Sequence, residues 1–204
     1  MPELFTVNEA AAIAEISPET IRTALEKKSV MSSHGTGVGK ATRHHFSSQD
    51  VLLLKVLTEF PFALSKHDKE SLAQLLVRNR QQAAGWSIRG SRLEYSGREM
   101  RLSIELKSVR EKLNRNLALY RWGKKRVVSR PDVLGGEPVF RGTRVPLQHV
   151  AGLFRKGIPE EEIREDFPHL KARDLKYARL ATGFIDKPGR PRKRVIAQRE
   201  SRIA

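Results

Sequence analysis

The sequence predicts a mainly α-helical protein with short β-hairpins, built around two groups of three short helices, one near each end of the chain. Three observations predict it. Helix-start signals recur at Ser17-Pro18-Glu19-Thr20 and Ser47-Ser48-Gln49-Asp50. A Gly/Ser-rich stretch separates those two signals, as a hairpin requires. Between Val127 and Gly183, prolines and glycines cut the chain into short segments with helical spacing. With 204 residues, 39% of them hydrophobic, the chain is long enough to bury a core.

From Phe5 to Arg22 the chain reads as two short helices with a tight joint. Asn8 is placed to cap the first, and Ala11, Ala12 and Ile13 are small or apolar enough for close packing. Ser17 as N-cap and Pro18 at the first helical position start the second. Ile21 and Leu25 share one face of it, leaving Thr20, Arg22 and Thr23 on others. Residues 30–46 then read as a hairpin, with Arg43-His44-His45-Phe46 on the returning strand. Ser47 caps a third helix through Val51, Leu54 and Leu57.

This order over residues 1–60 resembles the winged helix-turn-helix of MerR-type regulators. It departs from them after Arg22, where Ala24-Leu25 replaces an aromatic pair. The resemblance implies DNA binding by Ser17, Thr20, Arg22, Thr23 and Lys27 on the second helix. It also implies a grip on the DNA backbone by Lys40, Arg43 and His44 from the wing.

Residues 61–126 read as a basic helix, hairpin and helix. Ser65 or Asp68 caps a helix expected to reach Ala84, with Gly85 as its stop. Leu93, Tyr95, Leu102 and Ile104 alternate across Ser96-Gly97-Arg98-Glu99, as a hairpin would. In the helix from Glu105 to Trp122, Leu106, Val109, Leu113, Asn116 and Tyr120 recur at spacings of three and four. That stripe suits either a homodimer seam with Asn116 fixing register, or an ordinary core face.

In residues 127–184, Val127 and Val139-Phe140 are short strands, and Pro146, Pro159 and Lys171 open three short helices in a helix-turn-helix-like bundle. The stretch Gly-Gly-Glu-Pro-Val-Phe-Arg-Gly-Thr-Arg-Val-Pro, residues 135–146, resembles the family known as domain of unknown function 433. The resemblance implies a VapB-like antitoxin whose partner toxin is a PIN-like ribonuclease, with Arg141 and Arg144 at the toxin or stapling the loop. Residues 185–204 form a basic tail containing Arg190, Arg192 and Arg194. Those arginines suit an acidic toxin pocket, a DNA minor groove through Pro188-Gly189-Arg190-Pro191, or a solvated extension.

Composition narrows the function classes. The net charge of +16 points to a polyanionic partner. It is unevenly distributed: −1 over residues 1–60, +11 over 61–130, +1 over 131–184 and +5 over the tail. Charge alone therefore does not locate a DNA site in the head. The absence of cysteine excludes disulfides, thiolate metal sites and cysteine nucleophiles. Neither a signal peptide nor an apolar run of membrane-spanning length is evident, so the expected location is cytoplasmic. Gly35 to Thr42 imitates a phosphate-binding loop. However, His34 stands where the pattern needs Gly, and Ala41 where it needs Ser or Thr. His34, His44 and His45 do not form a metal set, because adjacent strand residues face opposite ways. No nucleophile, base and orienter recur in a recognisable arrangement, so neither an enzyme nor a cofactor is expected. The leading expectation is a type II antitoxin that binds operator DNA and its toxin. A stand-alone MerR-like regulator, and an RNA-binding protein using residues 61–130, are the alternatives.

Overall fold

A computed structural model describes residues 3–27, 34–36, 43–60 and 62–185. The head contains α1 (Val7–Ala14), α2 (Pro18–Glu26), β1 (His34–Thr36), β2 (Arg43–His45) and α3 (Ser48–Glu59). The cap of α1 is Thr6 rather than Asn8. Starting there puts Glu9 at the third helical position, where its carboxylate accepts from Thr6 N at 2.9 Å while Thr6 Oγ1 accepts from Glu9 N at 3.3 Å. Glu15 ends α1 in the left-handed region at φ 53°, turning the chain sharply into α2. As the sequence predicts, Ser17 caps α2 with Pro18 in its first turn, and Ser47 caps α3 in a box with Asp50.

β1 and β2 pair antiparallel, with His34 opposite His45 and Thr36 opposite Arg43. Beyond β2, Phe46 exchanges both backbone hydrogen bonds with Phe5 at 2.9 Å. Both rings are fully buried, so the returning strand is anchored against the start of α1.

The middle region differs from its expected helix, hairpin and helix. α4 (Lys66–Leu76) ends well before Ala84, and a four-stranded antiparallel meander follows: β3 (Gln82–Ala83), β4 (Trp86–Arg89), β5 (Arg92–Ser96) and β6 (Arg101–Glu105). Asn79 at φ 53° breaks the helical path, and Ala84-Gly85, both at positive φ, turn β3 into β4. Trp86 fixes the register of the new strand. Its ring is buried against Phe60 and Tyr95, and its indole N–H donates to Asp68 on α4 at 2.9 Å. The hairpin expected across residues 96–99 is present as β5 and β6.

α5 (Lys107–Arg126) is the spine of the molecule. Leu113, Leu117 and Tyr120 are buried in the core shared with α1, α3 and α4. Asn116 donates at 3.0 Å to the Ile13 carbonyl and to Glu15. The apolar stripe therefore faces the chain's own head and is not a dimer seam; the hydrogen bonds of Asn116 fix the end of α1.

The C-terminal unit contains β7 (Val127–Val128), β8 (Val139–Phe140), α6 (Leu147–Arg155), α7 (Glu160–Asp166) and α8 (Ala172–Ala181), with β7 and β8 antiparallel. Pro146, Pro159 and Lys171 stand at the three helix starts. Gly157 at φ 79° turns the chain after α6. The far half of α5 packs Leu119 and Trp122 onto this second core. At Gly123 the ring of Tyr177 lies so close that a Cβ would collide with it. Past α8, Phe184 packs edge-on to Tyr120, and Gly183 sits against Ala12 of α1.

Candidate functional site

The head gathers side chains from three elements around one groove. Thr6 and Asn8 at the start of α1, Arg22 and Leu25 of α2, and His44 and His45 of β2 line an open cavity of about 510 Å³. Two of these were expected at a DNA surface, Arg22 and His44. Asn8, expected as a cap, lines the groove instead because capping passed to Thr6 two residues earlier.

The remaining expected DNA contacts fall around this groove in different states. Thr20, Arg22 and Lys27 are exposed, and Thr23 is half-buried. Arg22 keeps about half its side chain in solvent and pairs with Glu19 at 3.4 Å. Ser17 is exposed, but its hydroxyl accepts from Thr20 N at 3.0 Å and bonds the Thr20 hydroxyl at 2.8 Å. It therefore orients the helix start. Arg43 belongs to β2, while Lys40 lies outside the described residues.

α1 and its joint with α2 are held from behind by α5. The Tyr120 hydroxyl donates to Glu9 Oε1 at 2.6 Å, and burial together with that carboxylate pushes the phenol well above its ordinary range. Lys112 pairs with Glu15 at 2.5 Å at the joint between α1 and α2. Burial acts to raise the Glu15 pKa, but the hydrogen bonds from Lys112 and Asn116, with the charge of Lys112, outweigh it and hold the group below its usual value.

A second charged surface lies at the loop between β8 and α6. Arg130, Arg141 and Arg144 line an open depression of about 570 Å³ together with Val128, Val139 and Thr143. Thr143 staples the loop: its hydroxyl donates to the Phe140 carbonyl at 2.8 Å and accepts from Val145 N at 3.1 Å. Gly142 at φ 79° makes that turn possible. Arg141 is partly a staple too, donating to the Lys125 carbonyl at 3.0 Å. Arg144 is exposed and has no hydrogen bond or ion pair among the described residues. Arg130, which the sequence reading passed over, joins this surface because β7 lies beside β8; no local pattern could have signalled it. Arg190, Arg192 and Arg194 lie outside the described residues.

Beneath the depression is a contact that sequence reasoning missed. Arg126 at the end of α5 forms a two-pronged ion pair with Asp174 on α8, at 2.7 and 3.0 Å, and a further N–H donates to the Arg141 carbonyl. Asp174 is fully buried. Its hydrogen bond to Arg126, opposed by burial, raises the guanidinium pKa above its ordinary value. Among the described residues there is no group of three or more His, Asp or Glu placed to hold a metal, and no helix is long and apolar enough to cross a membrane.

Comparison with known proteins assigns the C-terminal unit to a family. A domain described as "Protein of unknown function (DUF433)" occupies residues 127–179, the segment that carries the stapled loop and the Arg126–Asp174 pair's second member. Among curated proteins, the uncharacterized protein y4eO of Sinorhizobium fredii (strain NBRC 101917 / NGR234) is 44% identical over 71 residues, 34% of this chain. The chain covers only 31% of that relative's length.

Proposed function

We propose that the chain is a type II antitoxin whose winged head binds operator DNA and whose C-terminal unit binds and silences a PIN-like ribonuclease. One observation carries the reading: α2 turns Thr20 and Arg22 to solvent, and Arg22 shares its groove with His44 and His45 of the hairpin. A helix backed by small residues and flanked by a hairpin suits a major groove and the neighbouring backbone. The −1 charge of residues 1–60 makes the fit depend on these few cations rather than on a bulk field. On the toxin side, support comes from the DUF433 domain and from Arg130, Arg141 and Arg144 around one depression, which suit acidic groups on a nuclease. A toxin bound there would alter operator affinity through α5, which packs on both cores.

The test is binding of the purified chain to the DNA upstream of its own gene. Arg22→Ala should weaken specific binding by about 1–3 kcal/mol while leaving inhibition of the nuclease from the neighbouring gene unchanged. Truncation after Ile185 should do the reverse. Equal affinity of wild type and Arg22→Ala for that DNA would sink the operator half, as would equal affinity for random RNA. A neighbouring locus without any nuclease would leave a MerR-like regulator acting alone.

A further inference from the structure

The meander ends in an open edge. Among the described residues β6 pairs with β5 alone, and Arg101, Ser103 and Glu105 are exposed. The direction of its backbone groups follows from the bonds at either end of the strand. The Met100 carbonyl and the Leu106 N–H both point toward β5, accepting from Gly97 N at 2.9 Å and donating to Ser91 O at 2.7 Å. Because these groups alternate along an antiparallel strand, Leu102 and Ile104 also bond to β5. Arg101, Ser103 and Glu105 therefore turn their N–H and C=O groups outward, and none of these bonds to another backbone group among the described residues.

The edge reads Arg101-Leu-Ser-Ile-Glu105, which is complementary to itself. A twofold axis through Ser103 places Arg101 of one copy opposite Glu105 of the other, and Leu102 opposite Ile104. In that register the pairs that exchange both N–H···O bonds are Ser103 with Ser103 and Arg101 with Glu105, the residues whose backbone faces outward. The charges lie on the polar face of the sheet. There Glu105 already meets Arg92 at 3.5 Å, so Arg92, Glu105 and the second copy's Arg101 would stand side by side with alternating charge. Leu102 and Ile104, half-buried in one copy, would pair on the apolar face. An edge guarded only against pairing usually carries one sign of charge or a proline. This one carries opposite signs at its two ends and no proline.

We infer that β6 is a dimerisation edge, on which a second copy of this chain adds antiparallel to make an eight-stranded sheet. The inference stands apart from what the head binds, although a twofold dimer would also present two heads to a two-part site. It replaces the seam on α5, whose stripe is buried in the chain's own core.

Sedimentation equilibrium on the full chain tests it. The wild type should sediment as a dimer at tens of micromolar. Arg101→Glu and Glu105→Arg should each self-associate roughly tenfold more weakly, since each sets like charges opposite one another. Mixing the two variants should restore dimers, because their edges then carry opposite charges along the whole row. The inference is overturned by a monomeric wild type, by variants that dimerise as the wild type does, or by a mixture no more associated than its parts.

Discussion

The head and the C-terminal unit both offer three short helices and several cations, yet they use their arginines in opposite ways. In the head, Arg22 keeps about half its side chain in solvent and pairs with an exposed Glu19. In the C-terminal unit most arginines hold the fold together. Arg126 holds Asp174, and Arg155 donates to the carbonyls of Thr182 at 3.0 Å and Ile185 at 2.6 Å, closing the end of α8. Arg141 reaches back to Lys125, and Arg179 bonds Glu160 at 3.2 Å. Arg130, paired at 3.2 Å with an exposed Asp132, and Arg144 are exceptions. A count of basic residues therefore says little about which surface meets a polyanion. What separates Arg22 from Arg126 is whether the partner carboxylate is exposed, as Glu19 is, or buried, as Asp174 is.

The comparison breaks most sharply at Arg126. Arg126→Ala would leave Asp174 buried without its cation, and the expected loss is about 3–5 kcal/mol of unfolding free energy in urea. Arg22→Ala, by contrast, should shift stability by less than about 0.5 kcal/mol, because it lies on an exposed helix face. Similar losses in the two variants would erase the distinction between a structural and a free arginine.

The distinction is only partly legible in the sequence. Caps, prolines and glycines announce most helices of both units, because these signals act within a turn of the residue that carries them. Thr6 and Asn8 show the limit of that precision: both can cap, and the choice falls to whichever places Glu9 three residues on. β3 and β4 went unseen because Gln81-Gln82-Ala83-Ala84 lacks alternation, and its extended path depends on Trp86 reaching Asp68 and Phe60. Of the candidate site, Thr20 and Arg22 could be placed on an exposed face from helical spacing alone. The companionship of Arg22 with Asn8 and His45, or of Arg130 with Arg141, comes from segments far apart in sequence, which no periodicity records. The role of α5 was invisible for the same reason: its stripe fits a partner chain or its own head equally well.

A second way to sharpen the comparison is to separate the units where α5 joins them. Gly123 is buried beneath the Tyr177 ring, whose hydroxyl is pushed up to about 12 chiefly by burial. Gly123→Ala would force that ring away, at an expected cost of about 1–3 kcal/mol. Because Tyr177 and Phe184 link the second core to Tyr120, the loss should fall on the contact between units. Amide exchange should then quicken in α8 and the far half of α5 before α2 and α3. Uniform quickening across both units would show that they are not separable in this way.

The smallest expected effect lies at the joint between α1 and α2. Glu15 is held below its usual pKa of 4.5, so the unfolded chain takes up a proton at a higher pH than the folded one. Its contribution is therefore complete above about pH 4.5 and fades as pH falls through the lower, folded value. With 44% of the Glu15 side chain in solvent, the pair with Lys112 is screened, and its worth is less than about 1 kcal/mol. Glu15→Gln keeps an acceptor for Asn116 and removes the charge that pairs with Lys112. Thermal unfolding of the two proteins from pH 7 to pH 3 should show a small deficit in the variant at neutral pH that closes in acid. A deficit of unchanged size at pH 3 would mean that the loss comes from a poorer fit of the amide against Asn116 and not from the charge of Glu15. The grip of α5 on this joint would then rest on Asn116 and not on the Lys112 pair.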